Sequence, residues 1–335
     1  MKPFQTKVKL KYGEKDFSGE IENFSYIDEA NGASDSITVV LNDIDGEWHG
    51  SRMPKKSTKI TASIVISGNN MKRDKSYNCG SFYLDDVEIQ GYPSSCTLGA
   101  VSDPVSYAFK TRKRNKTWKN TNLEQVTKDI AKNYLKGKMK VVYDAPLIKI
   151  SALDQDGQTD SSFLNQITEK YGCGLKVYAD KLVVYSIEEY EKKHSVKTLT
   201  EKDIEPGWIY RTTINENYTG VKLSYKKTGG KKIEVQAGTT KRMLNLSEKV
   251  DSMADAMKVA LARVNKENAN TTTLSFTLRT PAFLSATSCI TMQGMGALSG
   301  KYFVTRVRHV ISNGYKVQVE CRKIMKRIMD PNKAT

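Results

Sequence analysis

The densest chemistry in the sequence is a ten-residue stretch, Lys110-Thr111-Arg112-Lys113-Arg114-Asn115-Lys116-Thr117-Trp118-Lys119. Cations interleaved with an indole can neutralise a phosphate backbone and stack a base. The same residues also suit a crossing between two folded units, with Trp118 as apolar anchor and the charges facing solvent or a neighbouring subunit. The stretch ends just before a helix signal, where a connection belongs, so Arg112, Lys113, Arg114 and Trp118 are read as a linker and interface. Direct nucleic-acid binding is the lesser reading.

Other reactive types do not assemble. Asp154, Asp156 and Asp160 sit at calcium-loop spacing, but the twelfth position is Asn165 rather than Glu. A loop leading into a helix accounts for them. Gly294-Met295-Gly296-Ala297-Leu298-Ser299-Gly300 has one residue too many for a dinucleotide fingerprint and precedes a strand, so no helix N-terminus awaits a pyrophosphate. The five cysteines (Cys79, Cys96, Cys173, Cys289, Cys321) and three histidines (His49, His194, His309) are scattered, which gives zinc no local scaffold. No G-x-S-x-G, P-loop or H-E-x-x-H occurs. No residue is therefore assigned to catalysis, a metal or a cofactor.

The charge is uneven. Residues 1–111 hold 13 Lys+Arg against 15 Asp+Glu, and residues 206–335 hold 22 against 8. A basic third beside a neutral one points to an acidic partner, either nucleic acid or a protein surface. The chain has no run of 18 apolar residues and no apolar segment behind Met1-Lys2-Pro3, so neither a membrane span nor a secretory signal is expected.

The elements that must carry these residues are read from periodicity. Ile37, Val39 and Leu41 alternate, as do Ile60, Ala62, Ile64 and Ile66, and Val105, Tyr107 and Phe109. Phe82 and Leu84 share one phase and Val87 and Ile89 the other. A β-bulge at Asp85-Asp86 would turn both pairs to the core. Helical spacing then appears at Leu123, Val126, Ile130 and Tyr134 behind a Thr121-x-x-Glu124 capping box. A second helix is expected from Asp160 as N-cap to Gly172, followed by a hairpin around Ala179-Asp180-Lys181. Ser247 is expected to cap a third helix over about 247–265, with Met253, Met257, Ala260, Leu261 and Val264 inward. Leu274, Phe276 and Leu278 alternate, and Asn313-Gly314 marks a hairpin between Tyr302–Ile311 and Tyr315–Ile324. The expected order is β (1–111), α+β (112–205), β (206–328) and a tail (329–335).

Four motifs in order resemble the late-control gene D family of phage baseplate hub proteins, with relatives in Gram-positive prophages and contractile bacteriocins. They are Phe24-Ser25-Tyr26-Ile27-Asp28 through Leu41–Trp48 to Met53-Pro54-Lys55-Lys56; Phe109–Arg114 with Trp118; Asp160–Leu164 leading into Glu169-Lys170-Tyr171-Gly172; and Gly300–Thr305 with Val307, His309 and Asn313-Gly314-Tyr315. The resemblance implies a β-rich α+β fold, two tube-protein-like β-barrels with an inserted α+β domain. It implies a homotrimer that adapts a three-fold spike to the six-fold tail tube and nucleates that tube, in a phage or tailocin particle assembled in the host cytoplasm. Partners would be the tube protein, a separate spike protein and other baseplate proteins. Two rival classes remain open at this point. A nucleic-acid-binding protein predicts steeply salt-dependent DNA binding, and a tail-associated cell-wall hydrolase predicts activity on peptidoglycan.

Overall fold

The structure is a computed structural model of residues 1–335, described here except for 1–4, 14, 69–72, 93, 104–107, 214–216, 227–229, 231 and 334–335. Strand makes up 50% of the chain and helix 17%, which sets the class as β-rich. The first third supplies β1 (Gln5–Tyr12), β2 (Lys15–Asp16), β3 (Ile21–Glu29), β4 (Ser36–Asn42), β5 (Lys59–Ser67), β6 (Lys75–Gln90) and β7 (Ser95–Val101). The middle supplies β8 (Lys113–Asn122), α1 (Leu123–Ala131), β9 (Lys140–Asp144), β10 (Lys149–Thr159), α2 (Asp160–Lys170), β11 (Cys173–Tyr178), β12 (Lys181–Ser186) and α3 (Ile187–Lys192). The rest is β13 (Ser195–Leu199), β14 (Ile209–Thr212), β15 (Gly220–Lys226), β16 (Lys232–Gly238), β17 (Met243–Leu246), α4 (Met253–Ala269), β18 (Thr272–Thr277), β19 (Cys289–Met292), β20 (Gly300–Ser312) and β21 (Gly314–Lys323).

Strands from both ends of the sequence share one 13-stranded sheet, running β14-β18-β21-β20-β3-β4-β7-β6-β5-β1-β2, with β19 attached to β20 and β13 to β19. The seam is β20 against β3, from Arg306 opposite Glu29 to Ile311 opposite Phe24. One core follows: Leu10, Phe24, Ile37, Phe82 and Leu98 pack with Leu274, Tyr302, Val304, Val307 and Val317. No closed barrel forms among the described residues.

The alternations expected on β4 and β5 are met in detail. Ile37, Val39, Leu41, Ile60, Ala62, Ile64 and Ile66 are all buried. The β6–β7 register slips between Leu84 and Asp86, so the bulge is there, and Val87 turns back onto the core. Ile89 does not, and stays 36% exposed. Val105 and Tyr107 lie outside the described residues, and Phe109 is a turn residue buried in the middle core. Asn313-Gly314 makes the β20–β21 hairpin.

The helices lie where the apolar spacing put them, but each cap moves. Asn122 caps α1 by accepting the Gln125 N–H, in place of Thr121, because Asn122 is the last residue with extended backbone. Thr159 caps α2, and Asp160 is its first residue. Ser252 caps α4, five residues beyond Ser247. That leaves Met253 exposed at 54%, while Met257, Ala260 and Val264 are buried. Three smaller cores sit beside the large one, the third of them the cluster of Ala30, Tyr185, Ala286, Cys289 and Phe303. Trp118, Leu123, Val126, Ile130, Phe163, Leu164, Leu175 and Val184 form the first. Val221, Leu223, Val235, Met257 and Val264 form the second, where α4 covers the β16-β15-β17 sheet.

Candidate functional site: a charged junction between the parts of the chain

The period of two that buries Phe24 and Tyr26 on β3 also turns Asp28 inward, where a carboxylate needs a partner. Lys176 of β11 provides it. Its Nζ pairs with Asp28, lies 2.8 Å from Asp35 Oδ1 and donates to the Glu29 carbonyl at 2.7 Å. The remaining lone pairs are filled. The Ala286 N–H donates to Asp28 Oδ2 at 2.9 Å, Tyr77 Oη donates there at 3.3 Å, and the Glu29 N–H donates to Asp35 at 2.9 Å. The side chains are 12%, 4% and 0% exposed, so the triad is desolvated. One lysine thus ties together β3, the turn before β4, the β11 strand and the 284–286 loop.

Burial raises the Asp35 carboxyl above the ordinary range, against the opposing pull of Lys176, and the Asp28 charge beside it adds to the rise. Burial would lower the Lys176 amine, but Asp28 and Asp35 outweigh it and the net shift is upward. Against this triad lies an aromatic stack. His309 is fully buried, its ring parallel to Tyr26 at 5.7 Å and close to Tyr77 and Tyr315. Its Nδ1 meets Tyr315 Oη at 2.8 Å, and its Nε2 has no partner among the described residues. Burial pushes it down to about 4, so the ring is neutral.

The β11–β12 hairpin docks on the first third through further polar contacts. Tyr185 Oη donates to the Ala30 carbonyl at 2.9 Å, Ser102 Oγ to Val177 at 2.7 Å, and Tyr83 Oη to Asp180 at 2.6 Å. Gly174 is required here, because a Cβ would stand 2.3 Å from the Tyr185 ring. A second buried cluster joins α3 to the C-terminal strand. Glu191 takes Arg322 at 2.6 Å and Arg327 at 2.8 Å, and Arg322 lies over the Phe303 ring. A cleft of about 310 Å³ opens beside it, lined by Glu29, Glu191, Arg306, Arg322 and Lys266.

These groups hold parts of the chain together. All five cysteines are buried, and burial pushes every thiol up, away from the thiolate. Among the described residues, no three His, Cys, Asp or Glu side chains are placed to share a metal. Asp154 accepts Thr117 Oγ1, and Asp160 is fully buried against Tyr134, Gln155 and Arg114.

The basic stretch lies on a strand. Lys113, Arg114 and Trp118 belong to β8, paired with β10, and Arg112 directly precedes it. Trp118 is 8% exposed, stacked on Phe163 at 5.3 Å with its Nε1 donating to Asp129. Arg114 pairs with Asp160, and Lys116 with Asp129. Arg112 and Lys113 are exposed. The stretch and the junction are separate places. The sequence reading missed Asp28, Lys176 and His309 as a unit. Its available signal was an acid in phase with Phe24 and Tyr26, and a histidine in phase with Val307.

The fold is similar to that of solved phage-type tail proteins. The tail protein from Neisseria meningitidis MC58 superposes with a TM-score of 0.73 at 15% identity, covering 95% of this chain and 96% of that one. In sequence, the chain is homologous to the probable baseplate hub protein of Escherichia phage 186, 25% identical over 232 residues, which is 68% of this chain and 56% of that protein. The probable baseplate hub protein of Escherichia phage P2 is 28% identical over 202 residues, 58% and 49% of the two chains. The matches thus span about half the length of these curated relatives. No family model matches. The resemblance to baseplate hub proteins stands.

Proposed function

We propose that the chain is a non-enzymatic structural subunit of a phage-type baseplate hub, three copies of which join a three-fold spike to a six-fold tail tube and nucleate that tube. The observation that carries this reading is the single sheet that unites both ends of the sequence, in a fold that matches a tail protein over almost its whole length. In this reading the β1–β7 part and the part made by β14 and β18–β21 are two tube-like lobes, and residues 112–205 are the inserted α+β unit. Three chains would then present six lobes. The junction at Lys176 fits such a role, since a ring that transmits load needs its lobes and inserted unit fixed relative to one another. The partners are further copies, the tube protein, a separate spike protein and other baseplate proteins, within a phage or tailocin particle. Arg112 and Lys113, both exposed, are offered to a neighbouring subunit.

The test is omission. Tube and spike proteins are co-expressed with and without this chain and imaged. Spike-capped tubes are expected only when the chain is present. Capped tubes of normal length in its absence would contradict the reading.

A further inference from the structure

The two proposed lobes share one strand order, and one strand pairing in the chain has no repeat among the described residues. The first lobe runs β1-β5-β6-β7-β4-β3 across its sheet, and the second, with β13, runs β13-β19-β20-β21-β18-β14. The strands correspond one to one, in the same order along the sequence. Neighbours are antiparallel in both lobes, apart from the parallel β13–β19 pair. The bulges coincide as well: β6 slips against β7 between Leu84 and Asp86, and β20 slips against β21 between Val304 and Arg306. Val87 thereby corresponds to Val307. Following the cross-strand partners outward from these makes Tyr210 of β14 correspond to Tyr26 of β3.

The seam inside the chain joins the far half of β20 to β3, with His309 opposite Tyr26. Its repeat would join the far half of β6 to β14, and both of those edges are open. β5 accompanies β6 only as far as Tyr83, and from Asp85 to Gln90 only β7 lies beside it among the described residues. β14 has β18 on one side and no strand on the other among the described residues. One edge belongs to the first lobe and the other to the second, as an alternating ring requires. We propose that the far half of β6 in one copy pairs antiparallel with β14 of the next, repeating between chains the seam inside each; the inference rests on the proposed ring.

Transferring the register of the seam puts Ile89 opposite Tyr210, Glu88 opposite Arg211 and Val87 opposite Thr212. Ile89 is 36% exposed within its own chain, and here it takes the place that His309 fills beside Tyr26. Glu88 and Arg211 are exposed, and neither has an ion pair or hydrogen bond among the described residues. Between copies they become an opposite-charge cross-strand pair, which selects partner and register more than it tightens the contact. The backbone phase agrees. The Thr213 N–H bonds to the Thr271 carbonyl, so by alternation Arg211 turns its backbone groups to β18, while Tyr210 and Thr212 turn theirs to the open side. The contact is head-to-tail, so a closed ring leaves neither edge open.

Glu88 and Arg211 would form a non-hydrogen-bonded pair with Cα atoms about 4.5 Å apart, within reach of a disulfide. The native thiols are all buried and do not compete. The test is the full chain carrying Glu88→Cys and Arg211→Cys, co-expressed with the spike and tube proteins and mildly oxidised. Denaturing mass measurement is expected to show linked chains up to a closed three-chain species, and neither single variant should link. Charge reversal gives a second reading, by native mass spectrometry. Glu88→Arg is expected to weaken association between copies by roughly three-fold or more, and less at high salt; adding Arg211→Glu should restore it. A three-copy hub whose paired cysteines stay unlinked, or a charge reversal without effect or without repair, would overturn the proposal. A wild-type complex with other than three copies would instead overturn the hub reading beneath it.

Discussion

Lys176 is the side chain on which the junction depends most. Removing it strands two carboxylates in a dry site, and breaking a buried pair from one side costs roughly 3–5 kcal/mol. Lys176→Met is expected to lower unfolding free energy by that order, read from urea transitions at neutral pH. A loss under about 1 kcal/mol would mean that the triad is far wetter than its exposure implies. His309 adds a pH dependence of known sign. Its folded value near 4 lies below the ordinary 6.5, so the unfolded chain binds the extra proton. Stability from this group is complete above pH 6.5 and is lost as pH falls toward 4, by about 3 kcal/mol in all. Asp35 acts oppositely, since its raised folded value lets the native state take up a proton first on acidification. The wild-type profile between pH 7 and 4.5 should therefore be shallow. His309→Phe should gain stability relative to wild type on acidification, and parallel profiles would contradict the assignment. The sequence placed Asp28 and His309 in phase with apolar neighbours, yet it gave no sign that Lys176, well over a hundred residues away, would meet them. Long-range ion pairs leave no periodicity.

Among the elements, apolar spacing and turn signals located β4, β5, β6, β11, β12, β18, β20, β21, α1, α2 and α4, because spacing reports the buried face directly, and left the other strands and α3 unplaced. Caps were less legible. Thr121, Asp160 and Ser247 are all good cap types, but the true caps Asn122, Thr159 and Ser252 are equally good and stand nearby. Which one is used depends on where the preceding segment is pulled by tertiary contacts, as with Asp160, buried against Tyr134 and Gln155. The basic stretch reads as a linker because it stands just before a helix signal, where a connection belongs. In the structure β10 pairs with it and two of its cations find carboxylates on α1 and α2, neither of which local sequence announces. The β11–β12 hairpin offers a direct check of its docking. Gly174→Ala would drive a methyl into the Tyr185 ring, which is itself bonded to Ala30. The ring must move, and a loss of about 1–3 kcal/mol is expected from thermal or chemical melts. A neutral substitution would show that the hairpin sits looser on the sheet.

Taken as one body, the molecule departs most from the sequence reading in how its ends combine. Two separate β-rich thirds were expected, but β20 hydrogen-bonds to β3 and merges them into one sheet with one core. Strand pairing between segments nearly 300 residues apart is set by edge availability and twist, which no local pattern encodes. The proposed ring belongs to the same level. Determining the mass and rotational symmetry of the hub co-expressed with its spike and tube partners tests the account most directly. Three copies in a three-fold layer between spike and tube are predicted, and a layer containing six copies, or one, would contradict it.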